Sequence, residues 1–245
     1  MTGEETLEEV LRSARDRREL ILEFQKVISG KLSWFISDGE SSYQPQVVEE
    51  LLETFASVFQ LPMEAVSPLR EVITGLDLRE LPKGEFPIAS SPYTEEELRM
   101  LLFVLARPYF LSLNGGSKAD ASWEGGRCPV CGSAASVASL DEGRRSLHCP
   151  YCEAAGEFRR TGCPFCLEED TSKITILEVE GEGGIRIDTC DSCKSYIKTM
   201  KGGLSGQTAG EADLMSLHLD IIAQQRGYRR PAPNPLGMVR MIEIE

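Results

Sequence analysis

Four pairs of cysteines, each with two residues between its members, are the part of this sequence best suited to chemistry. They contain all eight cysteines of the 245-residue chain: Cys128 and Cys131, Cys149 and Cys152, Cys163 and Cys166, Cys190 and Cys193. A two-residue gap lets a tight turn direct two thiolates at one ion, and two such turns complete a tetrahedral four-thiolate shell. The spacing therefore predicts metal binding.

The distances between the pairs indicate how they combine. Seventeen residues separate Cys131 from Cys149, and 23 separate Cys166 from Cys190, lengths that one hairpin can span. Only ten residues separate the second pair from the third, which suits a link between two modules. We therefore expect two ribbons, each with its own metal: Cys128, Cys131, Cys149 and Cys152 in the first, and Cys163, Cys166, Cys190 and Cys193 in the second.

The identity of the metal stays open at this point. Tetrahedral sulfur coordination suits Zn²⁺ and a single iron equally, and closed four-cysteine shells are usually structural. A clustered iron–sulfur site also uses four cysteines, but turns around hairpins fit a mononuclear site better. A thiol redox function would need a βαβ context that short hairpins do not supply.

Composition and charge restrict the compartment and the partners. The chain has 26 Lys and Arg against 39 Asp and Glu, a net charge of −13, which disfavours binding to nucleic acid or to an anionic membrane surface. Its first residues are acidic rather than those of a secretory signal, and no apolar run reaches the roughly 20 residues that span a bilayer. We therefore expect a cytoplasmic protein with reduced thiols, which makes a disulfide framework a poor explanation for the cysteines.

Apolar periodicity predicts helices in the first half of the chain. Residues 6–28 form an amphipathic pattern, and a second helix should begin after Pro45 and stop at Pro62. The segment Leu98–Ala106 is apolar almost all round, which is typical of a helix buried at the centre of its domain. Pro108 should bend or end this helix.

Beyond residues 114–126, a connector rich in Gly, Ser and Ala, the pattern changes to short strands. Two β-hairpins are predicted, with strands at 134–140, 144–148, 173–180 and 185–189. A helix at residues 211–225 follows, and residues 231–245 should form an extended tail.

The other candidate residues have simpler interpretations. His148 and His218 have no obvious catalytic partner, and a core or interface role is the favoured interpretation of His218. Asp213 and Asp220 could bind a client protein, or they could be solvated or capping carboxylates. Four Arg-Arg pairs are interpreted as surface charge: Arg17-Arg18, Arg144-Arg145, Arg159-Arg160 and Arg229-Arg230.

The cysteine region also resembles a known family, the FdhE-type formate dehydrogenase accessory proteins. The resemblance covers roughly residues 127–236 and rests on Arg127 to Ser133, Leu147-His148-Cys149, Cys152, Arg160, Cys163, Cys166, Cys190, Cys193, Tyr196-Ile197-Lys198, Asp213-Leu214, Ser216-Leu217, Leu219-Asp220, Gly227-Tyr228, Arg230 and Asn234-Pro235. Departures from the family pattern leave every cysteine intact. Glu153, Leu167 and Lys194 stand after their cysteine pairs in place of Gly, and Gly156 stands where the family tends to have Trp.

The resemblance implies an α+β fold with a helical N-terminal domain, two tandem rubredoxin-like or zinc-ribbon modules and a C-terminal helix. We expect the boundaries 1–125, 126–160, 161–202 and 203–245. The implied role is maturation of the catalytic subunit of a molybdenum- or tungsten-containing formate dehydrogenase, with no enzymatic activity, and with two iron or zinc ions. The alternatives are a structural zinc-ribbon adaptor for another partner and a thiol or sulfur-transfer protein.

Overall fold

The computed structural model describes residues 7–29, 41–83, 93, 95–113, 123–181 and 183–233. Its first half is helical, as predicted. The helices are α1 (Leu7–Ser29), α2 (Pro45–Val58), α3 (Met63–Val66), α4 (Leu69–Thr74) and α5 (Glu95–Leu113), with a 3₁₀ turn at Leu78–Lys83. None of the helices in these described ranges has both the length and the apolar character that crossing a bilayer requires.

The apolar faces of α1, α2 and α5 meet in one core. Phe24 of α1 packs edge-on against Phe55 of α2, with 5.5 Å between the ring centroids. Tyr43, just before α2, donates a 2.8 Å hydrogen bond to the carbonyl oxygen of Leu105 in the middle of α5. Ile21, Phe24 and Ile28 of α1 and the apolar body of α5 are therefore buried in the same core.

Helix α5 continues past Pro108 to Leu113, so of the two predicted effects of Pro108, a bend or an end of the helix, the end is wrong. Proline removes one backbone hydrogen bond and crowds the preceding turn. Here tertiary contacts hold the next turn in place, because Tyr109 and Phe110 are both buried and the amide of Tyr109 donates to the hydroxyl of Tyr43 at 3.2 Å. Packing of these two rings outweighs the local preference.

The second half contains a mixed sheet of six strands in the order β3-β2-β1-β6-β5-β4. The strands are β1 (Val137–Asp141), β2 (Arg144–His148), β3 (Ala155–Phe158), β4 (Ile174–Glu178), β5 (Ile185–Cys190) and β6 (Ser195–Lys201). Both predicted hairpins are present, as β1–β2 and β4–β5. Strands β3 and β6 were not predicted.

Strand β6 joins the two ribbons into one sheet. It pairs antiparallel with β5 and parallel with β1, with Val137 opposite Lys198. Parallel pairing connects strands that are far apart in sequence, and local alternation carries no information about such a partner. The ribbons are therefore two halves of a continuous sheet.

The predicted C-terminal helix is two short helices, α6 (Ala209–Met215) and α7 (Leu217–Gln225), separated at Ser216. The hydroxyl of Ser216 donates to the carbonyl oxygen of Ala212 at 2.8 Å. The ammonium group of buried Lys198 donates hydrogen bonds to the carbonyl oxygens of Asp213 and Ser216, at 2.9 and 3.4 Å. These carbonyls are thus bound by a side chain at the point where the helix is interrupted.

The buried core runs from the N-terminal helices into the first ribbon. One cluster of buried side chains includes Phe24, Leu51 and Phe110 together with Cys149 and Tyr151. The four-segment division of the chain stays a prediction. Thr6 and the 234–245 part of the expected tail lie outside the described residues, as does most of the expected connector.

Candidate metal centres

The first cluster consists of Cys128, Cys131, Cys149 and Cys152, whose sulfur atoms all lie within 4.8 Å of one another. The two shortest contacts join one cysteine pair to the other. Cys128 Sγ is 3.5 Å from Cys152 Sγ, and Cys131 Sγ is 3.3 Å from Cys149 Sγ. The β1–β2 hairpin brings the pairs together, because Ala138 and Leu147 face each other across it.

The second cluster consists of Cys163, Cys166, Cys190 and Cys193, again with all sulfur atoms within 4.8 Å. Cys163 Sγ lies 3.6 Å from Cys193 Sγ, and Cys166 Sγ lies 3.6 Å from Cys190 Sγ. The third pair precedes β4 and the fourth pair connects β5 to β6. The grouping is the sequential one expected from the spacing.

These distances fit a four-thiolate metal shell. A tetrahedron with metal–sulfur bonds of about 2.3 Å has sulfur–sulfur edges of about 3.8 Å. The observed contacts of 3.3 to 3.6 Å come close to this value without being disulfide bonds, since all eight cysteines are free. Each cluster could therefore hold one metal ion that prefers sulfur ligands.

Each cysteine pair ends in a residue with left-handed backbone. Gly132, Glu153, Leu167 and Lys194 directly follow the second cysteine of their pairs and have φ angles of 80°, 59°, 61° and 55°. Only glycine adopts this conformation at little cost. The turn thus explains why Gly is the usual residue at this place, and three of the four turns in this chain carry a strained residue.

The sulfur atoms are held by hydrogen-bond donors. The amide of Val130 donates to Cys128 Sγ and that of Phe165 to Cys163 Sγ, each at 3.4 Å. Hydrogen bonds from Cys131, Cys149 and Cys152 lower the pKa of Cys128, whereas burial raises the pKa of Cys149. Metal binding must therefore displace protons that the cluster shares unequally among its thiols.

Ser195 contacts two sulfur atoms of the second cluster. Its hydroxyl lies 2.9 Å from Cys193 Sγ and 3.6 Å from Cys163 Sγ. Burial alone would raise the pKa of Cys193, but hydrogen bonds from the hydroxyl and the amide of Ser195 bring this pKa down to about 7. By contrast, the pKa of Cys166 is raised to about 12 by partial loss of water around its sulfur within the cluster and by its hydrogen bonds with Cys193, Cys190 and Cys163, although the residue as a whole is exposed. Cys193 is thus the thiol most ready to ionise among those of the second cluster with a shifted pKa.

A family model described as FdhE, C-terminal domain, matches residues 162–236, which include the second cluster, β6 and both C-terminal helices. Residues 162–236 are therefore similar to the FdhE C-terminal domain. The resemblance expected from the cysteines is confirmed.

Curated relatives match a longer stretch of the chain than the family model does. The chain is 37% identical over 113 residues to the Protein FdhE homolog of Haemophilus influenzae strain PittGG, a match that covers 44% of this chain and 37% of the relative. It is 32% identical over 127 residues to Protein FdhE of Escherichia coli O1:K1 / APEC, covering 49% and 40%. The chain spans about two fifths of the length of the curated relatives that it matches.

A solved structure supports the fold over most of the chain. The crystal structure of the FdhE protein from Pseudomonas aeruginosa aligns with 91% of this chain and 95% of its own, with a TM-score of 0.59 and 19% sequence identity. At this identity the likeness concerns the fold alone. The predicted α+β class, with N-terminal helices, ribbons and C-terminal helices, is confirmed.

The first cluster is anchored beneath helix α5. Tyr151, inside the second cysteine pair, packs edge-on against Phe103 and Phe110, with centroid distances of 4.6 and 4.7 Å. Arg107 of the same helix is buried and donates to the carbonyl oxygen of Pro150 at 3.0 Å. The cysteines of this cluster are buried or half-buried as a result.

Glu153 connects the first cluster to the segment 162–236. Its carboxylate forms a short ion pair with Arg107 and also accepts hydrogen bonds from the amides of Ala209 and Gly210, at 2.6 and 3.1 Å. These amides open helix α6, where a negative charge is favoured. One carboxylate thus connects α5, the first ribbon and α6.

The second cluster is closer to solvent than the first. Cys166 is exposed and Cys193 is half-buried, whereas only Cys131 of the first cluster is not fully buried. Leu167, next to Cys166, is 48% exposed. The two centres therefore differ in access, although their ligand sets are the same.

Two of the other expectations need correction. Asp213 and Asp220 are neither solvated nor free to contact a client, because both are buried in helices α6 and α7. Lys198 Nζ lies 2.7 Å from a carboxylate oxygen of each, and Arg230 pairs with both. These two cations hold the pKa of Asp213 below its ordinary value although burial alone would raise it.

The arginine pairs are also not uniformly surface charge, since Arg145 and the side chain of Arg230 are buried.

The two histidines lie within the fold rather than in the metal clusters. His148 is buried with its Nε2 2.8 Å from the hydroxyl of Ser139, and burial lowers its pKa to about 4. His218 is half-buried on α7.

Sequence reasoning missed Glu153, Ser195 and Arg107 as residues that support the centres. For Glu153 the sequence does contain a signal, because this residue stands where Gly is expected after its cysteine pair.

Proposed function

We propose that this chain is an accessory protein that assists maturation of the catalytic subunit of a molybdenum- or tungsten-containing formate dehydrogenase in the cytoplasm. The observation that carries the proposal is the match of residues 162–236 to the FdhE C-terminal domain, with a four-cysteine cluster inside it. The assembly role itself comes from the family's name and from the resemblance described above. The chain does not turn over formate.

The eight cysteines are the proposed ligands of two iron or zinc ions. Four thiolates per ion close each shell and leave no coordination position for a substrate. In this proposal the ions fix the ribbons and the turns around them. The chain's contribution to maturation is then binding of the client rather than chemistry on formate.

The client surface proposed here lies between the two ribbons and is called the knuckle groove. It is a pocket of about 440 Å³ whose lining includes Arg127, Pro129, Pro164, Phe165 and Leu167. Leu167 is 48% exposed, and Val130, which directly follows the lining residue Pro129 in sequence, is 38% exposed. Apolar side chains held in a fixed position beside both metal centres suit binding of an apolar client segment.

The test is copurification from the native host. We expect tagged wild-type chain to retain the formate dehydrogenase catalytic subunit, identified by mass spectrometry. Deletion of the gene should lower formate dehydrogenase activity while the transcript of the enzyme is unchanged. The variant Val130→Ser/Leu167→Asn should lose the catalytic subunit but keep its metal, because Asn tolerates the left-handed backbone at position 167.

Ile176→Thr is the matched control, since Ile176 is 49% exposed but lies on β4 rather than in the knuckle groove. It should retain the client. Normal formate dehydrogenase activity in the deletion strain, with no copurifying catalytic subunit, would contradict the proposal and favour a zinc-ribbon adaptor for another partner. If both variants lost the client equally, the knuckle groove would be rejected as the client surface, but the proposed maturation role would stand.

A further inference from the structure

Two of the arginine pairs lie on one side of the first ribbon and line a pocket of about 390 Å³. Its lining includes Trp123, Arg144, Arg145, Phe158, Arg159 and Arg160. Two acidic residues, Glu124 and Glu157, lie in the same wall, and both are exposed. Four arginines and two glutamates line this pocket in a chain whose net charge is −13. Two carboxylates outside the lining, Asp188 and Glu169, pair with Arg145 and Arg159.

Arg145 lies at the bottom of this pocket, and its side chain is only 1% exposed. Its Nη1 donates to the carbonyl oxygen of Gly162 at 3.0 Å, and its Nη2 lies 3.2 Å from Asp188 Oδ2 without forming a hydrogen bond. Asp188 is shared, because Arg186 Nε lies 2.8 Å from its other oxygen. One carboxylate therefore serves two guanidinium groups, and Arg145 has no carboxylate of its own.

A second guanidinium is held close to the first. Arg145 and Arg159 lie against the ring of Phe158, with Cζ atoms 5.9 and 5.3 Å from its centroid. Burial lowers the pKa of Arg145, Asp188 opposes this effect, and the charges of Arg186 and Arg159 lower the pKa further. The ring holds the two guanidinium groups close together. Arg159 Nη1 also pairs with the exposed Glu169, so Nε and Nη2 are the atoms of Arg159 that an anion could still bind.

The buried polar atoms of this pocket that lack a partner are all donors. Within the described ranges, no hydrogen-bond acceptor reaches Trp123 Nε1, Arg145 Nε, or Nε and Nη2 of Arg159. Buried donors are normally satisfied, and an unsatisfied one costs free energy. A ligand that only accepts hydrogen bonds would satisfy these atoms together.

We propose that this pocket binds the phosphate group of a small phosphorylated molecule. Guanidinium groups recognise phosphate through paired hydrogen bonds, and the exposed Arg144 and Arg160 would attract the anion from solvent. The volume exceeds that of one phosphate, which leaves room for an organic part. The site is separate from both cysteine clusters and does not depend on the proposed maturation role.

The test uses isothermal titration of the full metal-loaded chain with inorganic phosphate, AMP and uncharged adenosine. We expect phosphate and AMP to bind at one site per chain and adenosine not to bind. A Trp34→Phe variant leaves Trp123 as the single tryptophan, and its fluorescence should change on titration with AMP. Arg145→Gln could prevent folding, so the informative variant is the more exposed pair Arg159→Gln/Arg160→Gln.

This double variant should weaken binding of AMP at least roughly tenfold, as loss of charge-assisted hydrogen bonds predicts. Arg226→Gln, an exposed arginine on the far C-terminal segment, is the control and should bind as wild type does. No binding of phosphate or AMP would overturn the proposal. So would equal affinity for adenosine and AMP, equal weakening by Arg226→Gln, or binding of an acidic peptide but not of AMP.

Discussion

At the scale of single residues, the turns after the cysteine pairs show how one backbone requirement is met in different ways. Gly132 meets it at no cost, whereas Glu153 and Leu167 adopt the same left-handed conformation with side chains that disfavour it. Leu167 is 48% exposed. Glu153 instead binds Arg107 and the start of α6. The sequence could reveal the departure from Gly, but not the two partners that explain it.

The same substitution should therefore have opposite effects at these two positions. Leu167→Gly should leave stability unchanged or raise it by up to about 1 kcal/mol, because relief of strain outweighs added chain entropy. Glu153→Gly should cost about 2 kcal/mol or more, because Arg107 is left buried without its partner. Denaturant unfolding of the metal-loaded proteins measures both values. Destabilisation of similar size at both positions would contradict this account of the turns.

Ser195 is expected to control the proton sensitivity of the second centre. Ser195→Ala removes the hydroxyl beside Cys193 Sγ, so the pKa of Cys193 should rise from about 7 towards its ordinary value. Protons then compete better with metal for this thiolate, and acid should release the metal at a higher pH than in wild type. Affinity at neutral pH should fall roughly tenfold.

The control for this prediction is Ser192→Ala, which lies in the same turn but donates to Glu168 rather than to sulfur. Titration of metal content against pH should give the wild-type curve for this variant. Identical curves for Ser195→Ala and wild type would show that the hydroxyl does not act on the thiolate.

At the scale of elements, the helices and strands that could be predicted are those that depend on residues close together in sequence. The two hairpins and the faces of α1 and α2 follow from periodicity over a few residues. Strand β6, the continuation of α5 past Pro108 and the break at Ser216 depend on partners distant in sequence. Lys198 is the clearest case, because a lysine in a strand gives no local sign that it will be buried between two aspartates.

Lys198 should therefore be a major contributor to the attachment of α6 and α7. It is fully buried and, with Arg230, balances Asp213 and Asp220 in a neutral group of four charges. Lys198→Met should cost about 3–5 kcal/mol, because two buried carboxylates then share one cation. Denaturant unfolding measures this loss, and amide exchange should localise it to α6 and α7.

Adding Asp220→Asn to Lys198→Met restores neutrality and should recover part of the loss. A loss of less than about 1 kcal/mol for Lys198→Met alone would mean that this buried group contributes no more to stability than an ordinary surface ion pair. No recovery in the double variant would mean that shape, rather than charge balance, determines the contribution of this group.

At the scale of the whole molecule, one sheet and one core connect two centres that differ in exposure. The first cluster shares its core with the N-terminal helices, whereas the second is open to solvent at Cys166. Strong chelator should therefore remove metal from the second cluster first. Amide exchange during chelation should show loss of protection in β4 and β5 before β1 and β2. Simultaneous loss in both hairpins would show that the shared sheet makes the two centres cooperative.

The central claim is that the eight cysteines form two separate four-thiolate centres, and native mass spectrometry of intact protein tests it most directly. We predict two metal ions per wild-type chain. Cys128→Ser and Cys163→Ser should each retain one ion, because each removes a ligand from a different cluster. One ion per fully loaded wild-type chain, or loss of both ions in either variant, would contradict the claim.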